Sequence, residues 1–486
     1  MQTTYNTLHQ LNKEVVSDIK GFQLDAYLIA LEGWRRGLIL KWYKDETEKC
    51  TLHRLNSSTH GKFFSLSSDK RTHYFFRSRG DMVSNEAVRL CQNKEKTKQY
   101  LAKKQIPVPL GEVFNIKDRD AIISYAKKIG FPVIIKPVSG SMGKGVFTDI
   151  KSADELKDVL SILKSTLKYT NYLVEKFYPG QEYRVYVVGD QVIGAMNRLP
   201  ANITGNGTNT ISELIEMKNK ARKKNPYLQR KPIKVDYEIS QTLKTKGYQL
   251  DTVLEKGETI YLRSISNLSA GGDPISATHE LSNKIKKIAV KALKALPSIP
   301  QGGVDIIVDP LNNKKCVVLE INATAEISFH PFPLEGEPQD VPAAIIDYYF
   351  PETTKNKKTS FYFDFPSILE PLKSWVTDEI KVAQPIEGEV YGKRYVVEGK
   401  VVKVGYMNRM KREALQRNLY GYAKQIDKSK IEMIIYGTDR DELEAFYKIC
   451  KKGSKKSKVT NVVSEDLVIN EPIKMGFDVI SQESNK

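Results

Sequence analysis

Two apolar segments joined by a turn constrain the fold of this chain more than any other feature. Residues 302–308 and 316–322 are rich in β-branched and apolar residues, which is typical of short strands. Residues 309–313 between them contain Asp, Pro and Asn, the residues of turns. The pattern therefore predicts a hairpin with Asp305 on one strand and Glu320 on the other.

The acidic and amide side chains of this hairpin suggest a metal site. Glu320 and Asn322 are two residues apart, so their side chains share one face of the predicted strand. Oxygen ligands from Asp305, Glu320 and Asn322 suit a hard divalent cation, and Mg²⁺ usually keeps waters and bridges to nucleotide phosphates. The hairpin alone leaves a second interpretation open, in which these side chains only face water.

The composition of the 486 residues is that of a globular protein of about three domains. Hydrophobic residues make up 40% and charged residues 28%. No apolar run approaches the roughly 20 residues that span a bilayer, and the N-terminus lacks the pattern of a secretory signal. The cysteines at positions 50, 91, 316 and 450 form no metal or redox motif. We therefore expect a cytoplasmic protein without a membrane partner.

The net charge of +18 is the unusual value, and it favours anionic ligands. The lysines are scattered along the chain, and no motif with stacking aromatic or groove-reading residues accompanies them. We therefore expect no nucleic-acid partner.

A strand that ends in a lysine, followed by a glycine-rich loop, indicates a phosphate site. Residues 131–137 read as a buried strand that carries Lys136, and residues 139–145 follow with Ser141, Gly143 and Lys144. Glycines allow backbone N–H groups to close on an anion without a Cβ in the way. The spacing differs from the P-loop, and an ordinary turn is the alternative.

The next segment, residues 171–188, predicts two strands with a linker between them. A strand that ends at Glu175, Lys176 and Phe177 presents backbone donors and acceptors beside an aromatic face, which suits an adenine ring. Glu182 follows where a ribose hydroxyl would lie.

Taken together, these residues resemble an ATP-grasp ligase. The resemblance rests on Lys94, on the strand of Lys136 with its glycine-rich loop, on the Val-Glu-Lys-Phe segment with Glu182, and on the acidic hairpin. Residues 197–215, 260–273 and 329–351 are similar to segments shared by cyanophycin synthetases and the glutathione synthetase module of bifunctional glutathione-forming enzymes. The resemblance covers residues 30–353.

The resemblance implies a role for each matching residue. ATP phosphates would contact Lys94 and Lys136 beneath the loop with Ser141, Gly143 and Lys144. Adenine and ribose would be held by Glu175, Lys176, Phe177 and Glu182. Mg²⁺, with Mn²⁺ as an alternative, would be held by Asp305, Glu320 and Asn322. The carboxylate substrate and its acyl-phosphate would face Arg198, Arg263 and Asn267.

The implied activity is ligation of a carboxylate to an amine, with amino acids or a peptide as substrates and ADP and phosphate as products. Residues 323–328 depart from the pattern of the family close to the second substrate, so the acceptor is not identified. Two alternatives remain: an ATP-grasp kinase with a stable acceptor, and a non-catalytic nucleotide-binding protein with a regulatory or scaffold role.

The C-terminal part follows a different pattern. The order strand–helix–strand–strand–helix–strand after residue 388 suits a ferredoxin-like sandwich. Residues 399–407 resemble the phosphate cradle of acylphosphatases, but Met407 stands where that family has arginine, and Gln425 where it has the catalytic asparagine. We therefore expect a binding or docking role and not an active phosphatase.

The predicted fold class is α/β and α+β. We expect a small N-terminal α/β segment at residues 1–90, an ATP-grasp domain at 91–353, a linker at 354–380, and an acylphosphatase-like domain at 381–486. We also expect a homo-oligomer.

Overall fold

The structure is a computed structural model that describes residues 8, 11–45, 52, 58–138, 145–166, 169–263 and 266–481. Within these ranges the helices are α1 Lys13–Val16, α2 Gln23–Arg35, α3 Asn85–Gln92, α4 Lys94–Lys103, α5 Arg119–Ile129, α6 Ala153–Thr166, α7 Ile211–Arg222, α8 Tyr237–Thr245, α9 Asn283–Lys294, α10 Val341–Tyr349, α11 Phe365–Lys373, α12 Tyr406–Leu415 and α13 Arg440–Lys452. Short 3₁₀ turns lie at Leu268–Ala270 and Pro351–Thr353.

The strands in the same ranges are β1 Ile39–Tyr43, β2 Phe63–Ser67, β3 Thr72–Phe76, β4 Arg79–Gly80, β5 Gly111–Asn115, β6 Val133–Pro137, β7 Phe147–Ile150, β8 Asn171–Lys176, β9 Gln181–Val188, β10 Gln191–Leu199, β11 Asn202–Thr204, β12 Thr259–Tyr261, β13 Asp273–Ser276, β14 Gln301–Val308, β15 Cys316–Asn322, β16 Phe361–Tyr362, β17 Glu379–Lys381, β18 Tyr391–Lys400, β19 Tyr420–Gln425, β20 Lys430–Gly437, β21 Lys458–Leu467, β22 Ile473–Lys474 and β23 Phe477–Ile480.

The described chain forms two compact units. The first consists chiefly of residues 75–349, and the second of residues 11–45, 58–74 and 350–481. No helix in the described ranges is long and apolar enough to cross a membrane.

Two antiparallel sheets organise the first unit. One has the strand order β13-β10-β9-β14-β15, and the other has the order β5-β8-β6-β7. The predicted hairpin is present as β14 and β15, with Asp305 opposite Glu320. Between β10 and β13 lies a smaller lobe that contains α7, α8 and the strand pair of β11 and β12.

The five-stranded sheet buries one face against helices. Side chains such as Val185, Val304 and Ile306 are fully buried there, and they share a core with Ala289 and Leu293 of α9. Because side chains alternate across a strand, the residues between these apolar positions point to the opposite face. That second face carries Glu182, Arg198, Asp305, Glu320 and Asn322.

In the second unit, the N-terminal elements pack with part of the predicted linker. Helix α2 is buried along almost its whole length, and β17, β1, β2 and β3 are consecutive neighbours in one sheet. Trp34 contacts the ring of Phe363, with ring centroids 5.3 Å apart, and Trp42 contacts Phe365 at 5.0 Å. The stretch from 354 to 380 therefore contains a strand, a helix and buried aromatic side chains. The four ranges of the sequence analysis remain a prediction of the domain organisation.

The C-terminal part of the second unit has the order β18-α12-β19-β20-α13-β21 along the chain. Its sheet order is β21-β18-β20-β19, and β23 adds a parallel strand beside β19. This is the ferredoxin-like arrangement that the sequence predicts. Helices α12 and α13 cover one face, with Tyr395, Met410 and Phe446 in a common core.

Candidate functional site

A β-bulge places the acidic residues of the hairpin on one face of the sheet. Asp305 pairs with Glu320, whereas the next residue of β14, Ile306, pairs with Val318, so one residue of β15 is left over. A bulge of this kind changes the face to which the following side chains point. Val318 and Ile321 consequently both enter the apolar core, while Glu320 lies on the polar face with Asp305.

Asp305 is buried and is held by two arginines. Arg184 of β9 donates to both carboxylate oxygens, through Nε to Oδ1 and through Nη2 to Oδ2, the latter at 2.6 Å. Arg198 of β10 lies with its Nη2 3.2 Å from Oδ2 of Asp305, and it also pairs with Glu182. Burial alone would raise the pKa of Asp305, but the guanidiniums of Arg184 and Arg198 hold that pKa well below its ordinary value.

Glu320 and Asn322 complete this polar face. The side-chain amide of Asn322 donates to Oε1 of Glu320 at 3.1 Å, and Nζ of Lys94 lies 3.7 Å from Oε2 of Glu320. Lys94 is the first residue of α4, whose N-cap residue Asn93 accepts from the backbone N–H of Lys96 at 3.0 Å. The helix start thus directs a predicted phosphate-binding lysine toward a predicted metal ligand.

A second buried carboxylate, Glu175, lies in the four-stranded sheet between two lysines. Its Oε1 is 2.8 Å from Nζ of Lys98, and its Oε2 is 2.5 Å from Nζ of Lys136. Burial would raise the pKa of Glu175, but Lys136 and Lys98 lower it below its ordinary value. The structure therefore gives the side chain of Glu175 two lysine partners, and its contact with adenine remains a prediction.

The other adenine-site predictions lie at the end of β8. Nζ of Lys176 donates to the carbonyls of Gly130 and Phe131 at 2.9 and 3.1 Å, so it satisfies backbone groups just after α5. The backbone N–H of Phe177 donates to the carbonyl of Pro132 at 3.1 Å. Ser141, Gly143 and Lys144 of the predicted phosphate loop lie outside the described residues.

Arg263 is engaged within the smaller lobe. Its guanidinium pairs with Asp236 at 2.5 Å and with Glu238, and its Nε donates to the carbonyl of Ala270 at 3.1 Å. Asn267 begins the 3₁₀ turn and accepts from the backbone N–H of Ser269 at 2.9 Å. The structure thus joins Arg263 to the turn that carries Asn267, and within the described ranges it gives Arg263 no contact with Arg198.

Sequence families match two parts of the chain. Residues 91–212 match the model described as the RimK-like ATP-grasp domain, and residues 393–479 match the model described as acylphosphatase. The chain contains an ATP-grasp domain. Its C-terminal domain is acylphosphatase-like, as the sequence resemblance predicted.

Several known proteins are similar to the ATP-grasp part. A cyanophycin synthetase of Geminocystis herdmanii is 35% identical over 275 residues, which is 54% of this chain and 31% of that protein. The glutathione biosynthesis bifunctional protein GshAB of Listeria monocytogenes is 32% identical over 269 residues, or 54% of this chain and 35% of that protein. This chain therefore spans about a third of the length of these relatives.

Among solved structures, a bifunctional glutathione synthetase from Pasteurella multocida is similar, with a TM-score of 0.47 and 26% identity. The match covers 62% of this chain and 41% of that one.

Sequence reasoning missed three residues of the ATP-grasp domain that the structure places beside the predicted ones. Arg184 donates two hydrogen bonds to the carboxylate of Asp305, and Lys98 forms an ion pair with Glu175, as Lys136 does. The third, His330, is fully buried with its ring centroid 5.9 Å from that of Tyr186, and burial and then Arg184 lower its pKa to about 3. Neither ring nitrogen of His330 has a hydrogen-bond partner among the described residues.

The available signal for Arg184 was its spacing from Glu182. The two residues are two apart in a predicted strand, so the side chain of Arg184 lies on the same face as that of Glu182, the predicted ribose contact. Similarly, Lys98 lies four residues after Lys94, which puts both on one side of a helix. No comparable local signal marks His330.

In the acylphosphatase-like domain, the predicted cradle is a turn that leads into α12. Lys403 and Gly405 have positive φ angles of 57° and 72°, and Gly405 precedes the first residue of the helix. The side chain of Gln425 donates to the carbonyl of Asp427 at 3.1 Å. Gln425, where the resemblance expects the asparagine of acylphosphatases, thus has its side chain bound within its own hairpin.

Proposed function

We propose that this protein is an ATP- and magnesium-dependent carboxylate–amine ligase that acts on amino acids or a short peptide, with Mn²⁺ as an alternative ion. One observation carries the proposal: a single polar sheet face of an ATP-grasp domain brings Arg184, Arg198, Asp305 and Glu320 together, with Lys94 reaching the same face. The names of the relatives, a cyanophycin synthetase and a glutathione biosynthesis bifunctional protein, support it.

The reaction has two steps. A substrate carboxylate oxygen forms a bond to the γ-phosphorus of ATP as the bond to ADP breaks, which gives an acyl-phosphate. A free amine then forms a bond to the acyl carbon as the bond from that carbon to the phosphate oxygen breaks, and the proton that the nitrogen loses passes to the departing phosphate. Such phosphoryl transfer depends on positioning and charge neutralisation. Lys94 and Lys136 would supply cations to the phosphates, and the loop with Lys144 is proposed to cover them.

The donor set on the polar face fits a magnesium ion. Mg²⁺ usually keeps several waters and binds through one or two carboxylates together with substrate phosphates. Glu320, a third of whose side chain is exposed, and Asn322 are available for this role, and Asp305 would take part if Arg184 releases one of its oxygens. A bound Mg²⁺ would supply charge neutralisation on the phosphate oxygens.

Arg198 is the proposed contact for the substrate carboxylate. Its guanidinium now bridges Glu182 and Asp305, so a substrate carboxylate would replace an existing anionic partner. A planar guanidinium can bind both oxygens of a carboxylate, which lysine cannot reproduce. Because Arg263 is held by Asp236 and the carbonyl of Ala270, we assign it to positioning the turn with Asn267.

The proposal is tested by release of ADP and phosphate from ATP in the presence of Mg²⁺ and pairs of amino acids, with mass detection of products. We expect phosphate release that depends on both a carboxylate and an amine, with a product joined by loss of water. ADP formation with phosphate retained on the acceptor would instead support a kinase. Nucleotide binding without any turnover across the full panel would support a non-catalytic role.

We also propose a cytoplasmic homo-oligomer. Sedimentation of the purified chain at several concentrations tests the oligomer, and a single monomeric species at all of them would contradict it.

A further inference from the structure

A cavity in the acylphosphatase-like domain lies at the start of β18, at the opposite end of this strand from the cradle-like turn. It has a volume of about 380 Å³ and is bounded by the start of β18, the first turn of α13 and the end of β21. The cradle-like turn follows Lys400, at the other end of the ten-residue strand β18. The cavity is therefore separate from the position at which an acylphosphatase binds its phosphate.

Lys393 places a positive charge in the wall of this cavity. The residue is only 9% exposed, and its side chain points to the same sheet face as Tyr395, into the layer covered by the helices. Its ammonium group pairs with Glu444 of α13 and lies 3.5 Å from Asp466 of β21. A buried lysine is costly unless it is paired, and these two carboxylates supply that pairing in the wall of the cavity.

Arg440 provides a second positive charge that is loosely held. Its guanidinium lies over the ring of Tyr391, 5.6 Å from the ring centroid, and 4.0 Å from a carboxylate oxygen of Asp466. About two thirds of the Arg440 side chain is exposed. A guanidinium supported by an aromatic face and weakly paired is available to form a fork with a further carboxylate.

The charges of the cavity balance, and they are arranged in alternation. Lys393 and Arg440 face Glu444 and Asp466, so the four groups have no net charge. A purely anionic or purely cationic ligand would leave two of these groups with a like charge beside it. A ligand with one ammonium and one carboxylate fits this arrangement, because its carboxylate can lie beside the two basic side chains and its ammonium beside the two acidic ones.

The remaining lining is apolar. Leu443 of α13 belongs to the core beneath the charged groups, and Leu467 of β21 adjoins the cavity from the sheet face opposite Lys393. A volume of about 380 Å³ is near the lower end of the range for small-molecule sites, about 300–1,000 Å³. These properties favour a ligand whose remaining part is small and uncharged.

From these observations, we propose that the cavity binds a free α-amino acid with an apolar side chain, with its carboxylate at Arg440 and Lys393 and its ammonium at Glu444 and Asp466. A short peptide has the same pair of terminal charges at a greater separation, so the experiment includes both. The proposal does not depend on the ligase activity, because it concerns a different domain.

Isothermal titration of the full chain with leucine tests the proposal. We expect binding that is lost with N-acetyl-leucine, which lacks the ammonium, and with leucinamide, which lacks the carboxylate. Lys393→Met and Arg440→Gln should each weaken leucine binding about tenfold or more, because each removes a charge-assisted contact. Arg394→Gln is the matched control, because Arg394 adjoins Lys393 but pairs with Glu432 and Glu465 outside the cavity.

Three results would overturn the proposal. These are the absence of leucine binding to the wild-type chain, equal binding of leucine and its N-acetyl form, and leucine binding that is unchanged in Lys393→Met. The last result would indicate an amino-acid site elsewhere in the chain. Tighter binding of leucyl-leucine than of leucine would overturn the choice of a free amino acid and assign the site to a peptide.

Discussion

Replacing Glu175 with Gln should open the four-stranded sheet of the ATP-grasp domain. The substitution keeps the shape of the side chain but leaves the ammonium groups of Lys98 and Lys136 without their shared carboxylate. Glu175 is 1% exposed, so little water can reach this position to solvate the two ammonium groups. Removing one member of a buried ion pair costs about 3–5 kcal/mol. Because both lysine side chains are slightly exposed, we expect about 3 kcal/mol, the lower end of that range.

Amide hydrogen exchange is the appropriate measurement, because tryptophan fluorescence would not report on this domain. All three tryptophans, Trp34, Trp42 and Trp375, belong to the other compact unit. About 3 kcal/mol corresponds to roughly a 150-fold increase in the exchange of protected amides. Peptides that cover β8 and β6 should show this change.

The control is Asp154→Asn, which removes an exposed ion pair with Lys157 in the same domain and should leave exchange unchanged. Adding Lys98→Met to Glu175→Gln removes one of the two unpaired charges, so part of the protection should return. Equal protection in the Glu175→Gln and Asp154→Asn proteins would refute the assignment of Glu175 as a structural counter-charge.

Three further predictions concern acid stability, catalysis and the C-terminal domain. Burial lowers the pKa of His330 to about 3 in the folded chain, whereas the unfolded chain has the ordinary value of about 6.5. Between these two values only the unfolded chain gains a proton, so the free energy of unfolding decreases as the pH falls. At pH 5 this amounts to about 2 kcal/mol, and thermal unfolding of His330→Phe should lack that part of the pH dependence; parallel curves for the two proteins would contradict it. Glu320→Gln should lower kcat at least about tenfold with little change in Tm, whereas Arg198→Lys should raise KM for the carboxylate about tenfold and leave KM for ATP unchanged; normal kinetics would remove either residue from the site. The full chain without ATP should not accelerate hydrolysis of benzoyl phosphate, because Met407 offers no charge to a phosphoryl group; an acceleration that Gln425→Ala abolishes would show that the domain is catalytic.

The strands of the candidate site were predictable because their patterns are local. The hairpin predicted at residues 302–308 and 316–322 occurs as β14 Gln301–Val308 and β15 Cys316–Asn322. The bulge between them could not be predicted, because it arises where Ile306 pairs with Val318 and not with the expected residue. Only the pairing of two strands, and the core that both must fill, determine where the extra residue is placed.

Long-range packing explains what the sequence did not indicate around residues 354–380. Phe363 and Phe365 are buried because they pack against Trp34 and Trp42, which lie more than 300 residues earlier in the chain. Similarly, Arg184 and Asp305 are 121 residues apart, and only the pairing of β9 with β14 brings them opposite each other.

The charges of the candidate site also show why the overall charge of the chain is a poor guide to nucleotide binding. The site brings together five basic and four acidic side chains, a formal charge of +1, from Lys94, Lys98, Lys136, Arg184, Arg198, Glu175, Glu182, Asp305 and Glu320. The net charge of +18 is therefore mostly elsewhere. A triphosphate meets basic groups that already have partners, so it must either displace carboxylates or bring its own cation. Since carboxylates without a counter-charge are costly where Asp305 and Glu175 are buried, the second route is favoured, and nucleotide affinity should depend steeply on the divalent ion.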